Sequence, residues 1–294
     1  MSTTNLRAFH LVATAGSFTR AARLAHVSQP TLSAQVASLE ETHGAKLFDR
    51  RGRGVVLTPL GHSLLALTTR LFTAEEECLA LLAGAKTLTR GHLRIAADSA
   101  SHVMPLLADL RRRHQGLTFS LSIGNSSDVL RQVVDYSAEV AVTARQTSDP
   151  RLHSVLLRRD RLVLFMPTDH PFAQSAPIGV RDLDGAEIVI RERGSVTREV
   201  FEARLAEAGA RPAALIEVQS REAVREAVLA GFGVGVIFEG EFAREPGLIA
   251  LPVSGADFSV AEYVVCLEER RRLPIVRGFL EAVSDRASAS GGAL

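Results

Sequence analysis

The chain has 294 residues, with 46% hydrophobic and 23% charged side chains and a formal net charge of +1. This length accommodates two domains, and the composition is that of a globular protein. No uninterrupted apolar stretch reaches about 18 residues, and no basic segment precedes an apolar run at the N-terminus, so neither a membrane span nor a secretion signal is predicted. We therefore expect a cytoplasmic protein.

Two short amphipathic helices joined by a tight turn are predicted in the segment from Phe18 to Leu39. Ser17 is a suitable N-cap for the first helix, and Ser28 is a suitable N-cap for the second. Pro30 falls in the first turn of the second helix, where its missing N–H costs nothing, and Gly44 is expected at the C-cap. The buried stripe of this helix is predicted to consist of Leu32, Val36 and Leu39.

The outward face of the second helix carries small polar side chains that can hydrogen-bond base edges in a DNA major groove. These candidate DNA-binding residues are Ser28, Gln29, Pro30, Thr31, Ser33 and Gln35. An ordinary helical hairpin with a solvated polar face is the alternative. Phe48 to Leu57 then predict two strands around a Gly-containing turn. The tip of this wing carries three arginines suited to phosphates and the minor groove, Arg50, Arg51 and Arg53.

Positive charge is concentrated in the N-terminal part of the chain. Residues 1–57 contain seven basic and three acidic side chains, a net charge of +4, whereas the whole chain carries +1. Such asymmetry is typical of a nucleic-acid-binding head on a body with another role.

A long helix is predicted to begin at Thr58 and Pro59, and its apolar residues follow each other in steps of four and three, as in a coiled coil. This seam comprises Leu60, Leu64, Leu67, Leu71, Ala74, Cys78, Leu81 and Ala85. A helix of roughly 28 residues is about 42 Å long, which exceeds what one small domain covers. We therefore expect the seam to pair with a second copy of the chain, and packing within the chain is the alternative.

From Gly91 onward, short strands alternate with helices, which predicts an α/β domain with open, mainly parallel sheets. Two such sets follow each other, so we expect two Rossmann-like subdomains, at about residues 91–161 plus 268–294 and at about residues 162–267. The last strand, Tyr263 to Leu267, and the helix Ile275 to Ser284 are expected to return to the first subdomain. The tail from Ala287 to Leu294 is expected to be disordered.

Polar residues follow several of these strands, at the carboxyl ends where open α/β sheets bind ligands beside helix N-termini. Taken singly, each of these hydroxyl groups can also be explained as a helix cap. Together, and with Arg193 nearby, they favour a small polar anion as the ligand. The candidate effector-binding residues are Ser99, Ala100, Ser101, His102, Asn125, Ser126, Ser127, Ser195, Thr197, Arg198 and Ser220.

The run SFTRAARLAHVSQPTLSAQVASLE, followed by LFDRRGRGVVLTPLG, resembles the LysR-type transcriptional regulators, and the layout fits along the entire chain. The resemblance implies a winged helix-turn-helix domain at residues 1–58, a dimerisation helix at residues 59–90, and a periplasmic-binding-protein-like effector domain at residues 91–294. One departure is Ala34, where this family usually has Arg, so no DNA contact is expected from this position.

The resemblance implies a transcriptional regulator, not an enzyme, that needs no cofactor or metal. Its partners would be double-stranded operator DNA, a small effector bound between the two subdomains, and a second copy of the chain. Homotetramers and contact with RNA polymerase stay open. The segments ADSASHVMPLLADLRRRHQG, SIGNSSDVL and RERGSVTR resemble the branch associated with phosphonate catabolism, including 2-aminoethylphosphonate. A small carboxylate or a sulfur metabolite is the alternative effector.

Two other classes of protein compete with this interpretation. An enzyme is disfavoured because the sequence contains no G-x-S-x-G elbow, no G-K-[ST] phosphate loop and no H-E-x-x-H motif. His102, close to two serines, is instead expected to be a hydrogen-bonding residue. A solute-binding transport protein would explain the effector half alone, but it would not explain the DNA-binding head.

The two cysteines, Cys78 and Cys266, lie far apart in the sequence and are surrounded by apolar residues. We predict that both are buried, reduced thiols, and a redox-sensing pair is the alternative.

Overall fold

The computed structural model describes residues 2–51, 54–82, 91–243 and 246–290. It divides into two compact units, residues 1–85 with 135–137 and residues 86–134 with 138–294. Within the described ranges, no helix combines the length and the apolar character that a membrane span requires.

The first unit is a winged helix-turn-helix followed by a long helix. Its elements are α1 (Thr3–Ala15), α2 (Phe18–Leu24), α3 (Gln29–His43), β1 (Phe48–Arg51), β2 (Gly54–Leu57) and α4 (Pro59–Leu82). The core of this unit includes Phe9 of α1, which is fully buried and lies 5.3 Å from the Phe48 ring, centroid to centroid. Because α1 also packs against α3 and α4, it forms the support on which the helix-turn-helix is built.

The predicted caps of α2 and α3 are confirmed. The Ser17 hydroxyl accepts a hydrogen bond from the Arg20 amide at 3.4 Å, and the Ser28 hydroxyl accepts one from the Thr31 amide at 3.2 Å. Gly44 ends α3 with a φ of +58°, a left-handed conformation that glycine adopts without strain. The predicted stripe on α3 is also buried, and it comprises Leu32, Val36 and Leu39.

Helix α4 has two different apolar faces. One face, with Thr68 and Phe72, is buried in the core of the first unit. Most of the described seam is exposed, with Leu60, Leu67 and Leu71 at 51%, 59% and 45% exposure. The seam residue Leu64 is half-buried and packs against the core of its own unit. The described part of α4 is 24 residues long. Of the predicted seam, Ala85 and the side chain of Leu81 lie outside the described part of the chain.

The prediction that Cys78 is buried is wrong, because this residue lies on the exposed side of α4. Cys266 is buried as predicted, and burial raises the pKa of its thiol to about 11. The Cys266 thiol is therefore protonated and unreactive at neutral pH.

The second unit contains ten strands and five α-helices among its described residues. In chain order they are β3 (Gly91–Ala97), α5 (Ala100–Arg113), β4 (Leu117–Ile123), α6 (Ser126–Val134), β5 (Val140–Thr143), β6 (Leu152–Pro167), β7 (Ile178–Gly179), β8 (Glu187–Arg191), α7 (Val196–Ala208), β9 (Ala214–Val218), α8 (Arg221–Leu229), β10 (Val234–Phe238), β11 (Leu248–Ser254), β12 (Ser259–Leu267) and α9 (Pro274–Ser290).

The strands follow the order β4-β3-β5-β12-β6-β10-β8-β9, with β11 beside β6 and β7 beside β11. Three parallel strands lie at each end of this order, β4, β3 and β5 at one end and β10, β8 and β9 at the other. Between them, β12 and β6 run antiparallel to each other and to their neighbours. The two predicted α/β subdomains are therefore joined by two shared antiparallel strands.

Strand β6 is the longest element of the sheet. It pairs with β12 up to Arg161 and with β10 from Leu162 to Phe165, so one continuous strand crosses from the first subdomain to the second. Strand β12 pairs with β5 over Tyr263–Cys266. These residues belong to the first subdomain, as expected for the returning strand, so the second subdomain ends earlier than the predicted boundary at residue 267.

Each subdomain has its own hydrophobic core. In the first, Leu106 and Leu107 of α5 pack with Phe279 of α9 over β3. In the second, α7 contributes Phe201 to one face of the sheet, and α8 contributes Val228 to a separate cluster. The tail expected to be disordered from residue 287 is helical to residue 290, and residues 291–294 lie outside the described residues.

Candidate functional site

The first candidate site is the outward face of α3. Gln29, Pro30 and Thr31 are exposed at the start of this helix, and Ser33 and Gln35 are half-buried. The Thr31 hydroxyl lies 2.7 Å from the Ser28 hydroxyl, so these two groups are partly occupied by the cap. The helix therefore presents Gln29 as its most available hydrogen-bonding side chain, beside the ring of Pro30.

The wing beside α3 is a short antiparallel hairpin. Strands β1 and β2 pair from Phe48 opposite Leu57 to Arg51 opposite Gly54. Arg53 lies outside the described residues, as do the side chains of Arg50 and Arg51. The predicted contacts of these three arginines with DNA consequently stay predictions.

The second candidate site is a cleft at the carboxyl ends of the strands in the second unit. Helices α5, α6 and α8 begin at its edge, and its volume is about 520 Å³. The cleft is lined by Ala100, Ile123, Gly124, Asn125, Asp128, Arg191, Glu192, Gln219, Ser220, Arg221 and Glu222. Since helix N-termini direct free N–H groups and a partial positive charge outward, this edge suits a small polar ligand with a negative group.

Three of the predicted effector-binding residues line the cleft, namely Ala100, Asn125 and Ser220. Asn125 also caps α6, because its Oδ1 accepts a hydrogen bond from the Asp128 amide at 3.0 Å. Ser220 caps α8 by accepting a hydrogen bond from the Ala223 amide at 3.2 Å. Asn125 and Ser220 are therefore helix caps, the alternative explanation for each single hydroxyl or amide group. Both residues also line the cleft.

Four other predicted residues lie beside the cleft and do not line it. The Ser99 and Ser101 hydroxyls are 2.7 Å apart at the start of α5. The buried Ser126 hydroxyl donates to Asp98 Oδ2 at 2.7 Å, and the Ser127 amide donates to the Gly194 carbonyl at 3.2 Å. These side chains shape the edge from which the ligand-facing residues project.

The structure does not bring the predicted residues of α7 into the lining of the cleft. Ser195 and Thr197 are buried. Arg198 forms ion pairs with Glu202 and Glu217, and the hydrogen bond that it donates to Glu217 raises the pKa of Arg198. Arg198 is thus held by carboxylates of its own subdomain.

His102 is buried and acts as a hydrogen-bonding residue, as expected. Its Nδ1 lies 2.6 Å from Glu262 Oε1 and 3.8 Å from Glu241 Oε1. Among the described residues, no group of three or more His, Cys, Asp or Glu side chains could hold a metal ion.

Two arginines of the cleft were missing from the predicted site. Arg191 ends strand β8 and forms two 2.7 Å hydrogen bonds with Glu192. Arg221 begins α8, and its Nε donates to the buried Glu241 at 2.7 Å. Both arginines lie at the carboxyl ends of strands, which is the same positional signal that selected the serines.

The cleft has mixed charge. Its lining contains two guanidinium groups and three carboxylates, from Asp128, Glu192 and Glu222. Burial disfavours the charge of Glu192, but the hydrogen bonds and charge of Arg191, together with hydrogen bonds from the Glu192 and Ser220 amides, outweigh this effect and lower the pKa of Glu192. Hydrogen bonds from its own amide and from Ser220 lower the pKa of Glu222. Both carboxylates are therefore ionised at neutral pH. The Ser127 and Asp128 amides of α6 already have acceptors, so the amides at the start of α5, which Ser99 does not cap with its side chain, are the better donors for an anion.

Comparisons with known proteins agree with this architecture. Residues 3–62 match the family model of the bacterial regulatory helix-turn-helix protein, lysR family, and residues 86–288 match the LysR substrate binding domain. The RuBisCO operon transcriptional regulator of Allochromatium vinosum is 31% identical over 296 aligned positions, which cover 98% of this chain and 97% of that protein.

Two solved structures share the fold. A full-length variant of OxyR from Pseudomonas aeruginosa has a TM-score of 0.74 at 22% identity, covering 96% of this chain and 94% of its own. Full-length CbnR complexed with its target DNA has a TM-score of 0.72 at 22% identity, covering 97% and 99%.

The phosphonate branch expected from the effector-domain segments is not supported by the curated relative, whose name refers to the RuBisCO operon. The family itself follows from matches that together cover most of the sequence. The chain belongs to the LysR family, and it is a DNA-binding transcriptional regulator with an effector-binding domain.

Proposed function

We propose that this regulator acts in the cytoplasm as a dimer joined through α4, reads operator DNA with the start of α3 and the wing, and responds to a small polar anion in the cleft. The observation that carries the effector assignment is the convergence of the α5, α6 and α8 N-termini on one cleft. The DNA assignment rests on the exposed polar start of α3, and CbnR, which has the same fold, was solved with its target DNA.

The effector is proposed to be small, because the cleft volume of about 520 Å³ lies within the usual range for small-molecule sites. A negative group on the effector would accept hydrogen bonds from the amides at the start of α5, whose N-cap residue Ser99 makes no side-chain cap hydrogen bond. The carboxylates of Asp128 and Glu222 favour a hydrogen-bond donor elsewhere on the same molecule. Phosphonates, small carboxylates and sulfur oxyanions all carry the required negative group.

Calorimetric titration of the full chain with inorganic phosphate, sulfate, acetate and 2-aminoethylphosphonate tests the effector class. We expect at least one of these probes to bind. The Ala100→Glu substitution places a carboxylate at the exposed start of α5, where it should reduce the affinity for an anion at least tenfold through like-charge repulsion.

The matched control is Ala100→Gln, which adds a similar volume without charge and should reduce the affinity less. Arg198→Gln, outside the lining, should leave the affinity unchanged. Failure of all four probes to bind would contradict the anionic class. Binding that Ala100→Glu does not weaken would move the ligand out of the cleft.

A further inference from the structure

Four ionisable side chains meet where the two subdomains join. His102 comes from α5 of the first subdomain, and Glu262 comes from the shared strand β12. Glu241 lies in the short 3-10 turn that follows β10, and Arg221 begins α8. The contacts run from His102 Nδ1 to Glu262 Oε1 at 2.6 Å and to Glu241 Oε1 at 3.8 Å, and from Arg221 Nε to Glu241 Oε2 at 2.7 Å. We refer to these residues as the junction cluster.

The junction cluster is closed to solvent on its His102 side. The side chains of His102 and Glu241 are 3% exposed, and that of Glu262 is 7% exposed. Three of their polar atoms, His102 Nε2, Glu241 Oε1 and Glu262 Oε2, are buried without a hydrogen-bond partner among the described residues. Solvent therefore contributes little to balancing the charges of these groups.

The surroundings contribute charges of both signs. The buried Arg191 lines a small pocket together with Arg221 and Glu241, but its guanidinium is bound to Glu192 at 2.7 Å. Asp98, which follows β3, is buried, and its negative charge raises the pKa of Glu262, as the charge of Glu241 also does. From β6, Arg158 lies opposite Glu262 in the register, but its guanidinium is bound to Asp160 at 2.7 Å. Strand β10 contributes only the Phe238 ring, 6.2 Å from the imidazole centroid.

Charge balance then requires a proton. Arg221 compensates one of the two carboxylates in the junction cluster. The other is compensated only if the His102–Glu262 pair holds a proton, either as imidazolium beside carboxylate or as imidazole beside carboxylic acid. Without that proton, a net negative charge would be buried, which is strongly unfavourable. Consistent with this requirement, burial raises the pKa of Glu262, and the favourable contact with His102 only partly offsets the effect.

We propose that the His102–Glu262 pair is a proton-binding site that holds one proton at neutral and mildly alkaline pH and thereby fastens α5 to the shared strand β12. A β-bulge lies between Glu262 and Tyr263, so the pair lies where the shared strand changes its register. Release of the proton at strongly alkaline pH would leave repelling carboxylates at this point and weaken the junction between the subdomains. This inference does not depend on which effector occupies the cleft.

The direction of the pH effect follows from linkage. At pH 8.5 both side chains are deprotonated in an unfolded chain, because their ordinary pKa values are about 4.3 for Glu and 6.5 for His. The folded chain retains one proton more, so its free energy of unfolding decreases as the pH rises until that proton is lost. While the folded chain holds one proton more than the unfolded chain, the folding equilibrium constant falls about tenfold with each rise of one pH unit.

Proton release on unfolding measures the site directly. The full chain is unfolded with urea at pH 8.5 in weak buffer, and the released protons are titrated. We expect the Glu262→Gln variant to release one proton fewer than the unmodified chain, because glutamine supplies a neutral partner without binding a proton. The matched control is Glu139→Gln, which removes another buried carboxylate, one bound to Arg94, and should release as many protons as the unmodified chain. Equal release by all three proteins would overturn the proposal.

A second measurement covers the case in which Glu262→Gln does not fold. Nuclear magnetic resonance of the unmodified chain at pH 8.5 reports the protonation of the His102 ring nitrogens and of the Glu262 carboxyl group. An imidazolium or a protonated carboxyl supports the proposal. A neutral imidazole beside an ionised carboxylate contradicts it.

Discussion

Gln29 and Leu32 lie one helical turn apart on α3, yet Gln29 is exposed and Leu32 is 2% exposed. Residues three apart share a helix face, so the difference comes from position along the helix. Gln29 is the first residue of α3 and lies before the buried stripe, which begins at Leu32. Gln29 also precedes Pro30, whose ring removes one donor from the first turn. The side-chain amide of Gln29 is thus the group on this surface best suited to read an adenine edge.

The Gln29→Ala substitution should weaken binding to a duplex selected by the protein from a random pool by about 1–3 kcal/mol, because a base-edge hydrogen-bond pair is lost. Binding to a scrambled duplex should change little. Thr42→Ala, near the far end of α3, is the control and should affect neither duplex. Fluorescence anisotropy at fixed salt measures both affinities. Equal weakening on the two duplexes would assign Gln29 to the DNA backbone instead of the bases.

The helix caps could be predicted from short-range sequence spacing, whereas the junction cluster could not. Ser17, Ser28 and Asn125 could be assigned because a cap and the amide it accepts from lie only three residues apart. The partner of His102 is 160 residues away in the sequence, and no local spacing connects them. Only the tertiary topology, which returns β12 to the first subdomain, brings Glu262 to this histidine.

At the scale of elements, α4 combines a buried face with an exposed row of leucines. A single exposed leucine is ordinary in a folded protein, but a row with heptad spacing is typical of a surface that pairs with another helix. Burying such side chains yields about 1.5–3 kcal/mol each. Pairing of two α4 helices would therefore supply a substantial stabilisation for a dimer.

Replacing both Leu67 and Leu71 by Asp should dissociate the dimer, since two charges would be buried in an apolar seam. Sedimentation velocity of the full chain measures the mass. Ala66→Asp, an exposed position of α4 outside the seam, is the control and should leave the mass unchanged. An unaltered mass for the double variant would mean that another surface joins the copies.

The apolar spacing predicted α4 and the parallel strands, because both are continuous apolar patterns. The sequence pattern predicts a strand only over the apolar end of β6, from Leu162, because the first part of β6 alternates between half-buried and exposed residues and includes the charged run from Arg158 to Arg161. Helix α1 was not identified as a separate element. Its buried residues Leu6, Phe9 and Val12 recur at every third position, a spacing from which a helix could have been predicted.

At the scale of the whole effector unit, contacts beside the cleft connect the two subdomains. Arg145, after β5, donates hydrogen bonds to the Gly194 carbonyl at 3.4 Å and to Glu199 of α7. The Ser127 amide donates to the same carbonyl at 3.2 Å. A Cβ on Gly194 would meet Asn125 Oδ1 at 3.0 Å. The loop before α7 is thus held close to the start of α6.

The Arg145→Gln substitution should raise the hydrogen-exchange rate of the Ser127 amide about tenfold, because the Gly194 carbonyl loses a charged donor that fixes its position. Arg131→Gln is the control. Arg131 lies on α6 and pairs with Asp128 in an exposed contact, which contributes little to stability. Unchanged protection in Arg145→Gln, or equal loss of protection in both variants, would contradict the assigned role of Arg145.

The position of β12 in the sheet also determines the order in which the effector unit forms during synthesis. Strand β12 lies between β5 and β6, yet it begins only at residue 259. The sheet of the second subdomain is complete once β11 has emerged, at residue 254. A growing chain, which folds from its N-terminus, thus completes the sheet of the second subdomain while β5 and β6 still present bare edges. The core of that subdomain still lacks Phe258 and Val260 at this stage. Such bare edges recruit foreign strands, so a ribosome that stalls before residue 259 releases an aggregation-prone protein.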